Sequence, residues 1–253
     1  MTSPSELVAL QEVLYRSGNP TRRWLHCMRR DWIVAALWRH AQCGGQALEV
    51  GPGCGVYLPV LAGLFERVVA VDIETAYLRH ADRLRQTLPN LELVCDDICA
   101  SSLPAQSFDL ILCTEVIEHI RHSPAALRGM QRLLKPGGVL VLSTPQPYSP
   151  LELAAKIAFL PGVIQLVRRV YREPVIETGH INLMTARTVR QQLQGAGFQI
   201  VEQHRSGLYL PLIAEFGGER GQKFLQRLAE MLGRGIGSHL LWTQYYVAHG
   251  SVR

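Results

Sequence analysis

A short apolar strand that runs into a glycine-rich turn, followed by a second apolar strand tipped with an acid, constrains this chain most. The first strand and turn are Ala47-Leu-Glu-Val-Gly-Pro-Gly-Cys-Gly55, and 17 residues beyond Gly55 lies Asp72, in Val68-Val-Ala-Val-Asp-Ile73. Such a pair places a ligand pocket at the carboxyl edge of a parallel sheet. Gly51, Gly53 and Gly55 let the backbone bend tightly and approach a ligand closely, because no Cβ intervenes. An acid at the second strand tip can accept both hydroxyls of a ribose. The spacing is G-x-G-x-G with Glu49 just ahead, which differs from the G-x-G-x-x-G of dinucleotide sites.

Three further segments follow in order. Leu91-Glu-Leu-Val-Cys-Asp-Asp-Ile98 predicts a third strand ending in acids, and Ser107-Phe-Asp-Leu-Ile-Leu-Cys-Thr-Glu-Val-Ile-Glu-His119 a fourth strand running into a helix. Leu133-Leu-Lys-Pro-Gly-Gly-Val-Leu-Val-Leu-Ser-Thr144 predicts a helix end, a turn whose glycine pair stops the helix, and a fifth strand. Together these segments, over roughly residues 46 to 145, resemble the class I S-adenosylmethionine (SAM)-dependent methyltransferases, with the glycine turn as motif I. The resemblance implies an α/β fold, a doubly wound Rossmann-like seven-stranded sheet with its last strand antiparallel. It also implies a single domain over 1–253. N-terminal helices (1–40) and two helical insertions (146–184 and 208–238) would form an acceptor-site cap over a SAM-binding core (46–145).

Carried over residue by residue, the resemblance assigns the methionine part of SAM to the turn at Gly51, Gly53 and Gly55. Glu49 would help hold its amino end, Asp72 the ribose, and Ile73 the adenine face. Asp97 with Ile98 matches the third-strand position that meets the adenine amino group; Asp96 competes for it and is otherwise a solvated loop acid. Glu115 is counted with the cofactor-binding residues as well. A sulfonium cofactor has no phosphates, so no Walker-type lysine is required.

Glu115-Val-Ile-Glu-His119 begins where the fourth strand ends. Spacings of i, i+3 and i+4 would set Glu115, Glu118 and His119 on one helix face. Polar residues so placed are either a general acid/base cluster or most of a metal site. The E-x-x-E-H pattern is similar to one in small-RNA 2′-O-methyltransferases, where it binds a divalent cation with a later histidine, and to the motif of the ubiquinone-pathway O-methyltransferases. His180 stands where that later histidine is expected. The catalytic candidates are therefore His119, His180 and Glu118, and the candidate metal ligands Glu115, Glu118, His119 and His180. Two carboxylates and two imidazoles suit Mn, Fe or Zn better than Mg.

Methyl transfer needs mainly proximity and alignment, and a base only for a weakly acidic acceptor such as a hydroxyl. The motif thus favours O-methylation. Both insertions contain apolar stretches, at Leu151–Val170 and Leu208–Phe216, the first followed by Arg172 and including Arg168 and Arg169. They predict a cap over a hydrophobic small-molecule site, with peripheral membrane contact or a dimer interface as the other uses of such surface. The chain is expected to act as a monomer or homodimer.

Hydrophobic residues make up 47% of the chain and charged residues 19%, a globular balance that argues against disorder. The net charge of +5 owes much to Arg22, Arg23, Arg29, Arg30 and Arg39, interleaved with Trp24 and Trp32. An amphipathic helix with a solvated basic face and tryptophans packed on the sheet explains them without nucleic acid, and no nucleic-acid-binding module accompanies them. The six cysteines form no C-x-x-C pair, and the start lacks the pattern of a signal peptide, so a cytoplasmic enzyme with reduced thiols is expected. Alternatives are an RNA 2′-O-methyltransferase, a SAM-binding protein without turnover, and a nicotinamide-dependent oxidoreductase, which the glycine spacing disfavours.

Overall fold

The computed structural model describes residues 13–41, 44–158 and 180–250. Arg168, Arg169, Arg172 and much of the first insertion lie outside them, as does Cys43. The first helix whose bounds are described is α1 (Pro20–His40), which starts where the sequence provides both signals for it. Asn19 caps the helix by accepting from the amides of Thr21 and Arg22, and Pro20 fills the first turn, where no amide partner is needed.

Seven strands follow, β1 (Gln46–Val50), β2 (Arg67–Asp72), β3 (Leu91–Cys95), β4 (Phe108–Thr114), β5 (Leu134–Pro145), β6 (Phe198–Ser206) and β7 (Thr243–Gly250). They form one sheet in the order β3-β2-β1-β4-β5-β7-β6. The first five are parallel, and β7 runs antiparallel to both β5 and β6. The order reverses between β1 and β4, and the carboxyl ends at that switch point are where such sheets bind ligands.

Side chains alternate across the sheet with the period of two. Leu48, Val69, Ile111, Leu140 and Tyr246 pack on one face, against α4 (Ser123–Leu133) and α6 (Ala186–Gly195). Ala47, Val68, Leu110, Val141 and Tyr245 pack on the other, against α1 and α2 (Leu58–Leu64), with Ala81 of α3 (Thr75–Asp82). Both faces are covered, which is why β1, β2 and β4 are apolar runs rather than alternating ones. A third cluster joins Leu25 of α1 to Leu208, Tyr209, Trp242 and residues of α7 (Pro211–Phe216) and α8 (Gly218–Gly233). Helix α5 (Pro150–Ala158) follows β5 and packs against α7.

Two local expectations change. Helix α4 ends at Leu133 with Leu134 already extended, so Gly137-Gly138 does not stop it. The pair instead forms the irregular start of β5, where the register against β4 shifts between Phe108 and Leu110. A Cβ on Gly138 would lie 2.9 Å from the Lys135 carbonyl oxygen and 3.1 Å from that of Phe108. Nor is the basic face of α1 freely solvated. Arg22 pairs with Glu215, Arg29 with Glu115 and Arg39 with Glu202. Trp32 stacks on His204 and packs on Tyr245, while Trp24 joins the cluster under α7 and α8. No helix among the described residues is long and apolar enough to cross a membrane.

Candidate cofactor and acceptor site

The turn after β1 is left-handed at all three glycines, with φ of 67° at Gly51, 51° at Gly53 and 74° at Gly55. L-residues pay for that conformation through a Cβ–carbonyl clash. At Gly51 space is closed too, since a Cβ would lie 2.5 Å from Cγ2 of Val116, in the loop after β4. The glycine turn and the Glu115–His119 segment thus interlock.

Glu49 is 1% exposed, and its Oε2 has no hydrogen-bond partner among the described residues. Burial pushes its carboxyl up to about 8. A buried, unpartnered carboxylate oxygen one residue ahead of Val50 and the turn fits a ligand that brings an ammonium. Asp72 ends β2 half-buried, its Oδ1 accepting the Glu74 amide at 2.9 Å, and burial raises its pKa. Ile73 beside it is 64% exposed, an apolar surface at the strand tips with nothing packed over it.

The two acids after β3 separate clearly. Asp96 is consumed locally, with Oδ2 accepting from the Ser101 and Ser102 hydroxyls and the Ser102 amide and Oδ1 from the Asp97 amide. Those bonds outweigh desolvation and lower its pKa. Asp97 is exposed and caps the Cys99 amide, at 2.8 Å, with Ile98 buried behind it. These features favour Asp97 over Asp96 as the acid available to a ligand.

After β4 the expected α-helix is absent. Glu115 is left-handed (φ 55°), and only Ile117–His119 form a helical turn, of the 3-10 type. The three polar residues therefore do not share an α-helix face, and they part company. Glu115 turns to Arg29, 2.7 Å from its Nη1, and accepts the Ser143 hydroxyl at 2.9 Å. Arg29 in turn donates to Nδ1 of His26 at 3.2 Å and lies 5.0 Å above the Trp242 ring. Burial alone would lower the Arg29 pKa, but Glu115 and neighbouring tyrosines more than offset it, so the guanidinium stays charged. His26, buried beside Arg29 and Arg22, is pushed well below its usual value and is neutral.

Glu118 and His119 go the other way and meet His180. One donor atom from each of the three lies within 4.8 Å of the others. Glu115 is not part of this group, so the expected four-ligand set reduces to three. Glu118 is fully buried; Oε2 accepts the Thr144 hydroxyl at 3.0 Å, and Oε1 has no partner among the described residues. Burial first, and the Glu115 charge second, raise its pKa well above the carboxylate range, against the pull of Thr144. The Glu118 carbonyl accepts the amides of Ile181 and Asn182, which anchors the segment carrying His180. The two imidazole centroids are 5.1 Å apart, and His180 Nδ1 is 3.1 Å from Oε2 of Glu152 in α5.

Arg29, Thr144 and Glu152 had no local signature. Their partners are 86, 26 and 28 residues away, and only the fold reveals the pairs. A separate surface concavity of about 720 Å³, lined by Gly137, Phe198 and His249 among others, sits at the opposite sheet edge without such a cluster.

Comparison with known proteins identifies the family and the fold. A family model described as a methyltransferase domain matches residues 22–203. A probable S-adenosylmethionine-dependent methyltransferase of Mycolicibacterium smegmatis is 27% identical over 203 residues, 79% of this chain and 70% of that one. A ubiquinone biosynthesis O-methyltransferase of Albidiferax ferrireducens is 35% identical over 152 residues, 56% of this chain and 58% of the relative. The chain thus spans less than two thirds of that relative's length. In structure it is similar to the N-methyltransferase NodS of Bradyrhizobium japonicum bound to S-adenosyl-L-homocysteine, with a TM-score of 0.61, 17% identity and coverage of 98% and 96%. That likeness shows the fold, and the family match extends over most of the sequence. The chain belongs to the methyltransferase domain family, within the class I SAM-dependent methyltransferases.

Proposed function

We propose that this enzyme transfers the methyl group of SAM to a hydroxyl oxygen of a small, hydrophobic acceptor held between the sheet edge and the helical cap. The convergence of Glu118, His119 and His180 beside the ends of β4 and β5 carries the proposal. SAM, when bound, supplies an electrophilic methyl on a sulfonium sulfur. The glycine turn and Glu49 are assigned the methionine end, Asp72 the ribose, and Ile73, Asp97 and Ile98 the adenine. Glu115, held by Arg29 and Ser143, would border the cofactor rather than the acceptor.

A hydroxyl must lose its proton as its oxygen attacks the methyl carbon and the sulfur leaves, and an imidazole of His119 or His180 is placed to take that proton. Burial raises the Glu118 carboxyl well above the usual carboxylate range, and beside the two imidazoles it is assigned a supporting, hydrogen-bonding role rather than that of the base. The same three side chains could hold a divalent cation, which would lower the hydroxyl pKa. One carboxylate and two imidazoles suit Zn, Fe or Mn better than Mg. Exposed apolar side chains on α5 and α7, Leu153, Ile157, Leu212 and Phe216, favour a greasy acceptor, as does the resemblance to ubiquinone-pathway enzymes. RNA is disfavoured, because arginines of α1 are engaged in intramolecular pairs.

Formation of S-adenosylhomocysteine against a panel of hydrophobic phenols, amines, thiols and RNA tests this. Turnover with phenols is expected, lost in His119→Ala or His180→Ala. Turnover confined to RNA or to amines would refute it. Activity that a chelator removes and Mn restores would select the cation; chelator-insensitive activity would select the free base.

A further inference from the structure

Helix α5 is packed the wrong way round for its composition. Its sequence, Pro-Leu-Glu-Leu-Ala-Ala-Lys-Ile-Ala, is mostly apolar, yet the residue it buries is Glu152 (7% exposed), while Leu153 and Ile157 are 45% and 60% exposed. An acid is among the costliest residues to bury without a partner. Glu152 also has a local use it does not take. Ser149-x-x-Glu152 is a capping-box pattern, and the Ser149 hydroxyl does accept the Glu152 amide, at 3.3 Å. In a full box the glutamate would return to the Ser149 amide. Here that amide donates to the Gln146 carbonyl instead, and the carboxylate turns to Nδ1 of His180, 3.1 Å away.

We propose that Glu152 is a positioning residue for His180, an inference that rests on the reading of His180 as a group facing the acceptor. A carboxylate facing Nδ1 accepts, so in the neutral ring Nδ1 carries the proton and Nε2 keeps the lone pair. The nitrogen able to take a proton or bind a cation is then fixed, and so is the plane of the ring. Carboxylates behind a working imidazole act in this way in other sites. Among the described residues, the groups facing His180 are Glu152 from α5 and Glu118 and His119 from the turn after β4. Because Glu152 belongs to the cap, a cap residue controls the chemical state of the site.

The test is the tautomer of His180, read from long-range proton–nitrogen correlations of the full chain labelled with ¹⁵N-histidine, freed of metal by chelator and saturated with S-adenosylhomocysteine. His180→Gln assigns the signals. The wild type should show the Nδ1–H form. Glu152→Gln, whose amide can serve either tautomer, and Glu152→Leu, which can serve neither, should both bring in the Nε2–H form. With the phenol identified above, kcat should fall about tenfold or more while the KM for SAM holds. A wild-type ring in the Nε2–H form, or an Nδ1–H form unchanged in Glu152→Gln, would overturn the proposal even if Glu152→Leu fails to fold. Binding of S-adenosylhomocysteine is titrated on the same samples. Its absence would overturn the cofactor reading, while the tautomer still decides the role of Glu152.

Discussion

If Glu49 holds the ammonium of the cofactor, binding should be proton-linked. Its carboxyl is fully buried, one oxygen lacks a partner among the described residues, and burial lifts its pKa to about 8. In the free protein at pH 7 such a group is about 90% protonated. An ammonium placed beside it favours the carboxylate, so the cofactor should bind the ionised form and displace the proton. The sign follows: because the free state holds more protons than the bound state, affinity rises with pH until it passes 8. With the bound carboxyl ionised throughout this range, affinity should rise about ninefold from pH 6 to 7 and about fivefold from pH 7 to 8. Each full unit corresponds to about 1.4 kcal/mol. The stability of the free protein runs the opposite way. A raised folded pKa stabilises fully below the unfolded value near 4.5 and loses its contribution as pH climbs towards 8. Calorimetric titration with S-adenosylhomocysteine, in buffers of different ionisation enthalpy, should show release of about 0.9 proton at pH 7. Glu49→Gln should bind more weakly and lose the pH slope. A flat affinity between pH 6 and 8, or a slope that survives in Glu49→Gln, would refute the reasoning.

Two further outcomes follow from the packing. Gly51→Ala should destabilise the protein by at least ~1–2 kcal/mol for the left-handed conformation alone, and disturb the loop at Val116, which its Cβ would strike. A melting temperature and cofactor affinity both unchanged would show that the turn is not locked against that loop. Arg29→Met leaves Glu115 without its cation, costing about 3 kcal/mol at the low end for buried pairs. In thermal denaturation that is roughly 6–12 °C for a chain of this size, and a shift under 2 °C would contradict it.

The sheet was legible because its carriers are local. Apolar runs bounded by glycine and acid mark β1, β2 and β4, and Asn19-Pro20 marks the start of α1. The separation of Asp96 from Asp97 had a local signal, in Ser101 and Ser102, which the motif spacing does not use. The i, i+3, i+4 spacing of Glu115, Glu118 and His119 puts them on one face only in an α-helix. The left-handed Glu115 breaks that premise, and only the pull of Arg29 and Ser143 explains where its side chain goes. Glu152 was hidden for a related reason: an acid in an apolar helix looks like its solvated face, and only His180 shows that it points inwards. Pairings across the chain are set by topology, which local periodicity does not encode.

The central claim is that cofactor binds at the switch point of this sheet, with Asp72 on its ribose. Calorimetric titration of SAM into the wild type and into Asp72→Ala tests it most directly. The account predicts one site per chain in the wild type and a loss of ~1.5–3 kcal/mol in the variant, the value of hydrogen bonds to a charged group. Wild-type affinity in a folded Asp72→Ala protein would contradict it.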